Sequence, residues 1–244
     1  MTGNTGTRRI ALLAAIGIAL GATGADVSAK GRKAPTGKVY TWSFQADTLG
    51  QKPAHSLAFG GTWQVVEDSV AVADSARAAT ADSATATSAT APIPVARFLS
   101  QSENDDGVSH YLTFTRPLLR DMEASVRFRI RSGEIDPSAG LLFQMDPKGT
   151  SGYLVRVSGR DEELAFHYLL YGRRRDVKFA KIPPLTPGTW HTLAISRQRT
   201  VIKARYDGKE IMMVRDDRFS KGTVGVWSED DTVVDFTDLT ATYR

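Results

Sequence analysis

The last quarter of the sequence alternates between apolar and polar residues, with turn signals between the runs. After the turn residues Pro187-Gly188, these runs cover residues 190–195, 202–206, 209–214, 222–227 and 232–243. A period of two residues is typical of β-strands, and Asp207-Gly208 favours the positive φ that a two-residue hairpin needs. Because no helical pattern separates these strands, they predict an antiparallel meander.

The same alternation continues through the earlier part of the chain. It predicts strands at residues 39–44, 62–66, 95–99, 110–115, 122–131, 140–145, 153–158, 163–171 and 177–182. In the longest run, Met122 to Arg131, every second residue is apolar, and no segment has the pattern of a long amphipathic helix. We therefore expect an all-β fold, a two-sheet antiparallel jelly-roll sandwich.

Residues 1–29 have the features of a signal peptide. The positive pair Arg8-Arg9 precedes the apolar run Ile10 to Leu20, and Val27-Ser28-Ala29 is an acceptable cleavage site. The apolar run is about half as long as a membrane span requires. The sequence thus predicts an extracytoplasmic protein, periplasmic or secreted, whose mature chain begins near Lys30.

The rest of the chain is predicted to form a short tether at residues 30–38 and a single β-sandwich domain at residues 39–244. Residues 71–91 are almost entirely Ala, Ser, Thr and Asp, without an apolar stripe to bury. This composition is typical of a flexible insertion between strands, and a weak surface helix is the alternative.

Composition excludes several kinds of chemistry. The 244 residues include no cysteine, so the chain has neither a disulfide framework nor a thiolate nucleophile. The formal net charge is only +4, and the basic residues are interleaved with acidic ones. We therefore expect no nucleic-acid partner, for which a basic stripe or a recognised motif would be required.

Turn glycines and strand tryptophans recur in an order that resembles a known superfamily. The segments that carry this resemblance are Trp42-Ser43-Phe44, Gly61 to Val65, Ala139 to Phe143, Gly152 to Arg156, Pro187 to Leu193, Tyr206 to Lys209, Phe219 to Trp227 and Asp235 to Leu239. They are similar to the concanavalin A-like lectin/glucanase superfamily over about residues 39–244. Within it, the chain most resembles laminin-G-like domains and domains named for family 16 glycoside hydrolases or 3-keto-disaccharide hydrolases. The resemblance implies a jelly roll with a glycan connection, but this fold hosts lectins, hydrolases and structural modules.

No catalytic residue can be assigned from the sequence. Glu134-Ile135-Asp136 copies half of the paired-carboxylate strand motif of family 16 enzymes, but Pro137 follows and the third carboxylate is missing. The turn residues Ser132-Gly133 place this copy in a solvent-exposed loop. No nucleophile elbow or metal-binding histidine pair is present either. Whether the protein is an enzyme stays open, and a glycoside hydrolase is the enzymatic alternative.

An acidic cluster, Glu229-Asp230-Asp231, is followed by Asp235 and Asp238. Calcium prefers several oxygen ligands, and domains of the resembled fold often bind it. However, Asp235 and Asp238 have opposite parity on a strand and are not expected to converge on one face. We therefore interpret the cluster as a loop of solvated carboxylates and assign no metal site or cofactor, leaving calcium as an alternative.

Polar residues on the central strands form the candidate binding surface. Each lies opposite its strand's apolar set: Arg127, Arg129, Gln144, Arg156 and His167. If their strands share one curved sheet, these residues form a basic groove with Tyr171 or Trp63 at an edge, extended by Arg173-Arg174-Arg175 in the adjoining loop. Arginine forks suit acidic groups, but the alternative is an ordinary solvated sheet face with local ion pairs. The other tryptophans, Trp42, Trp190 and Trp227, are interpreted as core residues.

These features together predict a non-catalytic extracytoplasmic module that binds a glycan, with an acidic polysaccharide as the ligand that the arginines favour. The alternatives are a glycoside hydrolase of the 3-keto-disaccharide hydrolase type and a laminin-G-like protein-binding or structural module. The sequence does not predict an integral membrane protein.

Overall fold

The structure is a computed structural model that describes residues 37–68 and 96–243. The predicted signal peptide, most of the predicted tether, the predicted insertion at residues 71–91 and residue 244 lie outside the described residues. The strands, numbered in chain order, are β1 (Val39–Trp42), β2 (Ser56–Phe59), β3 (Trp63–Asp68), β4 (Ala96–Gln101), β5 (Ser109–Phe114), β6 (Met122–Ser132), β7 (Ser138–Met145), β8 (Gly152–Ser158), β9 (Glu163–Leu170), β10 (Arg173–Lys181), β11 (His191–Gln198), β12 (Val201–Tyr206), β13 (Lys209–Arg215), β14 (Thr223–Glu229) and β15 (Val233–Tyr243).

The strands form two sheets, and every ladder between them is antiparallel. Sheet I has the order β13-β12-β11-β6-β15-β4-β3, with β1 also paired to β15. Sheet II has the order β10-β9-β8-β7-β14-β5-β2. The prediction of an all-β, two-sheet antiparallel sandwich is confirmed. Among the described residues, no helix is long and apolar enough to span a membrane.

The main core lies between the two sheets and contains the apolar set of each alternating run. Sheet I contributes Val126 and Phe128 from β6, and sheet II contributes Phe143 from β7 and Phe166 from β9, all fully buried. The Phe143 ring centroid lies 5.2 Å from that of Tyr153 and 6.3 Å from that of Phe166. The period-two pattern therefore selects the residues that face inward, as the sequence predicts.

A second apolar cluster lies on the outer face of sheet II. It consists of Tyr111, Leu142, Met145, Leu154, Leu169 and Trp227, with Phe59 packed against it. The Phe59 and Tyr111 rings stack with centroids 4.7 Å apart. This face of sheet II is therefore apolar and buried in places, unlike the wet face that an antiparallel sheet usually presents.

Two strand predictions were incomplete, both at sheet edges. The sequence pattern predicts no strand between residues 44 and 62, but the structure has strand β2 there, paired with β5 at the edge of sheet II. Strand β10 begins at Arg173, so Arg173-Arg174-Arg175 belongs to a strand and not to a loop. The run of charged residues does not have the alternating pattern by which a strand is recognised. An edge strand tolerates such exposed charges, and they prevent it from pairing with another chain.

Truncation of Phe143 tests the assignment of the core. We expect Phe143→Ala to lower the free energy of unfolding by about 3–5 kcal/mol, because it removes a buried ring from between two aromatic neighbours. Leu57→Ala, on the same sheet but partly exposed, serves as the control and should cost less than about 1 kcal/mol. Urea unfolding of the two variants measures both values, and equal losses would contradict this assignment.

Candidate functional site

An ion pair shows that sheet II is strongly curled. Arg174 on β10 donates from Nη1 to both carboxylate oxygens of Glu229 on β14, at 2.7 and 2.6 Å. In the sheet, β9, β8 and β7 lie between these two strands. Four strand spacings in a flat sheet amount to about 19 Å, far longer than an arginine side chain. The outer face of sheet II is therefore concave, and β10 lies close to β14 across it.

The concave face contains a pocket of ≈ 260 Å³. Its lining consists of Ser109, Tyr111, Leu154, Leu169, Gly172, Arg174, Trp227 and Glu229. In the ladders, Trp227 is paired with Tyr111 on one side and with Gly140 on the other. A Cβ atom at Gly140 would lie 2.7 Å from Leu154 Cδ1 and 3.3 Å from Trp227 Cβ. Because Gly140 has no side chain, Trp227 and Leu154 can pack over it in the floor of the pocket.

Two arginines and two carboxylates form a polar wall beside this floor, in which Arg174 and Glu229 line the pocket and Arg156 and Asp136 extend the ion-pair network away from it. Arg156 donates from Nη1 to Asp136 at 2.7 Å and to Glu229 at 3.2 Å. The guanidinium carbons of Arg156 and Arg174 lie 5.8 and 5.6 Å from the Trp227 ring centroid. Glu229, whose side chain is 15% exposed, therefore holds two guanidinium groups over one indole. The wall offers fixed donors and acceptors next to an apolar floor.

Asp136 anchors the far end of this wall. Its carboxylate accepts hydrogen bonds from Ser138 at 3.0 Å and Ser158 at 2.7 Å as well as from Arg156. Burial alone would raise the pKa of Asp136, but the bonds from Arg156, Ser158 and Ser138 lower it below its ordinary value of 3.8. The loop predicted at residues 134–136 is present, but its interpretation as wholly solvent-exposed was wrong for Asp136.

Tyr111 contributes a hydroxyl group to the same pocket. Burial, and then the negative charge of Asp146, raise the pKa of Tyr111 above its ordinary value. The phenol is therefore protonated at neutral pH and is available as a hydrogen-bond donor. Asp146 begins the β7–β8 loop, in which its carboxylate accepts bonds from the Thr150 amide and hydroxyl groups.

The structure does not bring the predicted groove residues to one surface. Arg127 and Arg129 lie on β6 in sheet I, whereas Gln144, Arg156 and His167 lie on sheet II. The prediction of a single groove was therefore wrong, because alternation identifies the polar face of each strand but not the sheet to which the strand belongs.

On sheet II, the predicted residues differ in their relation to the pocket. Arg156 forms part of the polar wall, and Tyr171 precedes the lining residue Gly172. Buried Gln144 has a positive φ of 51° and donates to the Arg120 carbonyl at 2.9 Å, a structural role. Trp63 packs in the main core instead of at a groove edge.

His167 is buried on the same sheet, with Nδ1 3.0 Å from Asp176 on β10. Burial, followed by the positive charges of Arg174 and Arg156, lowers its pKa to about 4. The imidazole is therefore neutral at pH 7. It helps to hold β10 next to β9 and does not line the pocket.

On sheet I, the arginines of β6 pair with acidic residues of the adjacent strand β15, and Arg129 also donates to Asp68 on β3 at 3.1 Å. Arg129 donates to Asp235 at 2.8 Å, and Arg127 to Asp238 at 3.4 Å. The parity argument against Asp235 and Asp238 sharing a face was wrong, because a register shift between Thr237 and Thr240 realigns the strand.

The three tryptophans predicted to fill the core differ from one another. Trp42 packs against the main core and lies 4.9 Å from Phe114. Trp190 is half-buried beside the sheet I arginines, with the Arg129 guanidinium 4.8 Å from its ring centroid. Trp227 is buried, but on the concave face of sheet II. The predicted burial is therefore confirmed for Trp227, in the smaller apolar cluster outside the main core, whereas the core assignment was wrong for Trp190.

The acidic cluster at residues 229–231 is not a loop of solvated carboxylates. Asp230 accepts from the Gly107 amide at 2.9 Å, and Asp231 from the Glu134 amide at 2.6 Å. Oxygens of Asp136, Glu229 and Asp230 lie within 4.8 Å of one another. The Arg156 guanidinium already bonds Asp136 and Glu229 and supplies the positive charge that a cation would bring, and calcium stays an untested alternative.

The sequence did not predict that four of the pocket residues belong to one site: Tyr111, Arg174, Trp227 and Glu229. Arg174 was noted only as part of a loop, and Glu229 only as part of an acidic run. Each lies on a strand with the parity of its outer face, so the alternation contained a signal. The partnership between β10 and β14 is a consequence of sheet curl, which no local pattern encodes.

Comparison with known proteins supports the fold. No family model and no curated protein matches the sequence. A solved carbohydrate-binding module, CBM66 from Bacillus subtilis, is similar with a TM-score of 0.57 and 16% identity, over 77% of this chain and 95% of that one. A protein of unknown function with a galectin-like fold, also from Bacillus subtilis, has a TM-score of 0.48 and 13% identity over 60% and 84% of the two chains. The exoplasmic/lumenal domain of VIP36 in its Ca²⁺-bound form has a TM-score of 0.48 and 10% identity over 60% and 78%.

The similarity to the first of these structures agrees with the two-sheet jelly-roll sandwich of the protein, and the resemblance to the concanavalin A-like superfamily stays a prediction. At 16% identity, that similarity concerns the fold alone. The finer resemblance to laminin-G-like or family 16 domains is not confirmed.

The pKa of Asp136 predicts a pH-dependent contribution to stability. We expect Asp136→Asn to lower the free energy of unfolding at pH 7 by about 1–3 kcal/mol, because it removes a charged partner of Arg156. Since the folded-state pKa lies below the ordinary 3.8, this contribution is complete above that pH and is lost as the pH falls through the folded value. Urea unfolding from pH 7 to pH 3 measures it.

Glu134→Gln, an exposed change two residues away in the same loop, is the matched control and should leave stability nearly unchanged at every pH. A difference between the Asp136 variant and the unmutated protein that stays constant down to pH 3 would contradict the assigned ion pair.

Proposed function

We propose that the pocket on the concave face of sheet II binds a sugar unit of a glycan, and that the protein is a non-catalytic glycan-binding module. The observation that carries this proposal is the pair Arg174–Glu229, held at the pocket wall above Trp227. Small-molecule sites combine apolar surface with a few fixed polar groups, and this pocket has both: Leu154, Leu169 and Trp227 beside the ion pair. A sugar ring matches it, because its C–H face is apolar and its hydroxyl groups both donate and accept hydrogen bonds.

The charges in the pocket favour a neutral sugar over an acidic one. Arg156 and Arg174 are both bonded to Glu229, and Arg156 is also bonded to Asp136. The carboxylate of Asp230 lies beside those of Asp136 and Glu229, so positive charge is not in excess here. A ligand carboxylate would have to compete with Glu229 for the guanidinium groups, whereas a hydroxyl group can bond to Glu229 while the ion pairs stay intact. The structure therefore argues against the acidic polysaccharide that the unpaired arginines of the sequence suggested.

The comparisons and the N-terminal sequence agree with this proposal. The first of the similar structures, CBM66 from Bacillus subtilis, is a carbohydrate-binding module, and its similarity covers 77% of this chain. The predicted signal peptide at residues 1–29 would deliver the protein to the periplasm or the exterior, where polysaccharides are available. We propose an extracytoplasmic polysaccharide as the partner.

A glycoside hydrolase is the second candidate, because Asp136 and Glu229 have carboxylate oxygens within 4.8 Å of each other. Retaining enzymes place two carboxyl groups about 5–5.5 Å apart. The lowered pKa of Asp136 does not suit a general acid, however, and Glu229 is bound by the guanidinium groups of both Arg156 and Arg174. Arg156 also bonds both groups, so binding without hydrolysis is the better explanation of the geometry.

Protein binding of the laminin-G type would use a sheet edge such as β10, whose side chains are exposed.

The proposal predicts that one substitution abolishes sugar binding while a matched one does not. We expect Glu229→Gln to weaken binding of the preferred hexose about tenfold or more, because it removes a charged acceptor and frees both arginines. Arg127→Gln changes a paired arginine on the outer face of sheet I and should leave the affinity unchanged. Calorimetric titration of the full chain with glucose, galactose, mannose, fructose and glucuronic acid measures these affinities.

Loss of binding in Arg127→Gln but not in Glu229→Gln would move the site to sheet I, and preference for glucuronic acid would contradict the neutral ligand. Absence of binding to every sugar would contradict the proposed function. For the hydrolase candidate, chromatography of oligosaccharides incubated with the protein should show no products. Products that disappear in Glu229→Gln would favour the enzyme.

A further inference from the structure

The hairpin between β9 and β10 has an unusual residue at its turn. Leu170 pairs with Arg173, so the turn consists of Tyr171 and Gly172, whose φ angles are 53° and 75°. A two-residue turn with both φ angles positive usually carries Asn-Gly or Asp-Gly, because these residues tolerate the left-handed region. A bulky aromatic residue there is an outlier.

The contacts of Tyr171 within the protein do not compensate for this backbone conformation. Its surface is 82% exposed, so its ring buries little against the rest of the chain. The buried aromatic Phe44 is the instructive contrast: it also has a positive φ, of 62°, but it is only 2% exposed and packs in the main core. Strained residues that the fold does not require cluster at binding sites. Tyr171 is therefore a candidate for contact with a ligand.

The turn is also held in place beside the pocket. The Tyr171 amide donates to Ser151 Oγ at 3.2 Å, and the Gly172 amide donates to the Thr150 carbonyl at 2.8 Å. Thr150 is in turn bonded by both its amide and its hydroxyl to Asp146. Because Gly172 lines the pocket, these bonds fix the backbone of Tyr171 at the pocket mouth. The turn is therefore already ordered in the free protein, and ligand binding does not have to order it at a cost in conformational entropy.

We propose that Tyr171 is a stacking platform for the sugar unit that follows the one held in the pocket. This inference rests on the proposed glycan-binding function and extends it: the ligand is an oligosaccharide or a longer chain, and not a free monosaccharide. The pocket holds one unit through Glu229 and Arg174, and the exposed phenol ring contacts the apolar face of the next unit. The turn sequence is then selected for the ring that it displays, at the expense of its backbone conformation.

The test compares a monosaccharide with its trisaccharide. The probes are the hexose from the panel above that binds most tightly and the linear trisaccharide of that hexose, titrated calorimetrically into the full chain. We expect the unmutated protein to bind the trisaccharide about three- to tenfold more tightly than the hexose, from one aromatic contact. In Tyr171→Asn this preference should disappear while the hexose affinity is unchanged.

Thermal melting and a conservative variant separate recognition from stability. Because Asn tolerates a positive φ, Tyr171→Asn should melt at or above the temperature of the unmutated protein, so weaker trisaccharide binding cannot come from a damaged fold. Tyr171→Phe keeps the ring and should retain the preference for the trisaccharide.

Two results would overturn the inference. If the unmutated protein and Tyr171→Asn show the same trisaccharide preference while Glu229→Gln still abolishes binding, the platform is wrong and the pocket assignment stands. If the unmutated protein binds neither probe, the proposed function fails and this inference fails with it.

Discussion

The pairing of Arg174 with Glu229 is the interaction on which the concave face of sheet II depends. It connects the edge strand β10 to β14 across three intervening strands, so it both requires and maintains the curl of the sheet. Arg156 joins the same carboxylate and is balanced by Asp136. In such a half-buried network, removal of one member leaves the charge of its partner uncompensated. The curl of the sheet brings these groups together, and their contacts in turn hold the curved shape and determine the electrostatics of the pocket.

The two outer faces of the sandwich use the same residue types in different ways. On sheet I, Arg129 pairs with Asp235 of the neighbouring strand and also with Asp68 on β3, from which β6 is separated by β15 and β4. On sheet II, Glu229 collects arginines from β8 and β10, which are distant in strand order. Both arrangements bridge strands that are not neighbours, but only the one on sheet II lies beside Trp227 and the pocket described above. The count of arginines on a strand is thus a poor guide to a binding site, whereas the location of their carboxylate partners is informative.

The sequence predicted the fold more fully than the site. Strict alternation in runs such as residues 122–131 identified the strands and their inward faces, because burial of one sheet face follows directly from the period of two. The same alternation could not assign strands to sheets, so Arg127 and Arg156 were wrongly placed together. It also could not anticipate the register shift near Asp238, and Asp136 lies in a loop whose contacts depend on distant strands. Alternation along a strand identifies the inward and outward faces of that strand. The assignment of strands to sheets and the curl of each sheet determine which of these faces contact one another.

The most direct test of this account is a nitrogen–proton correlation spectrum of the tryptophan indole groups during titration with the preferred hexose. The chain has four tryptophans, and their indole signals can be assigned by single substitution. The account predicts that the Trp227 signal shifts on binding, since it lies in the pocket floor, while the Trp190 signal on sheet I stays in place. A saturable shift of Trp190 with Trp227 unmoved would contradict the central claim that the concave face of sheet II is the binding site.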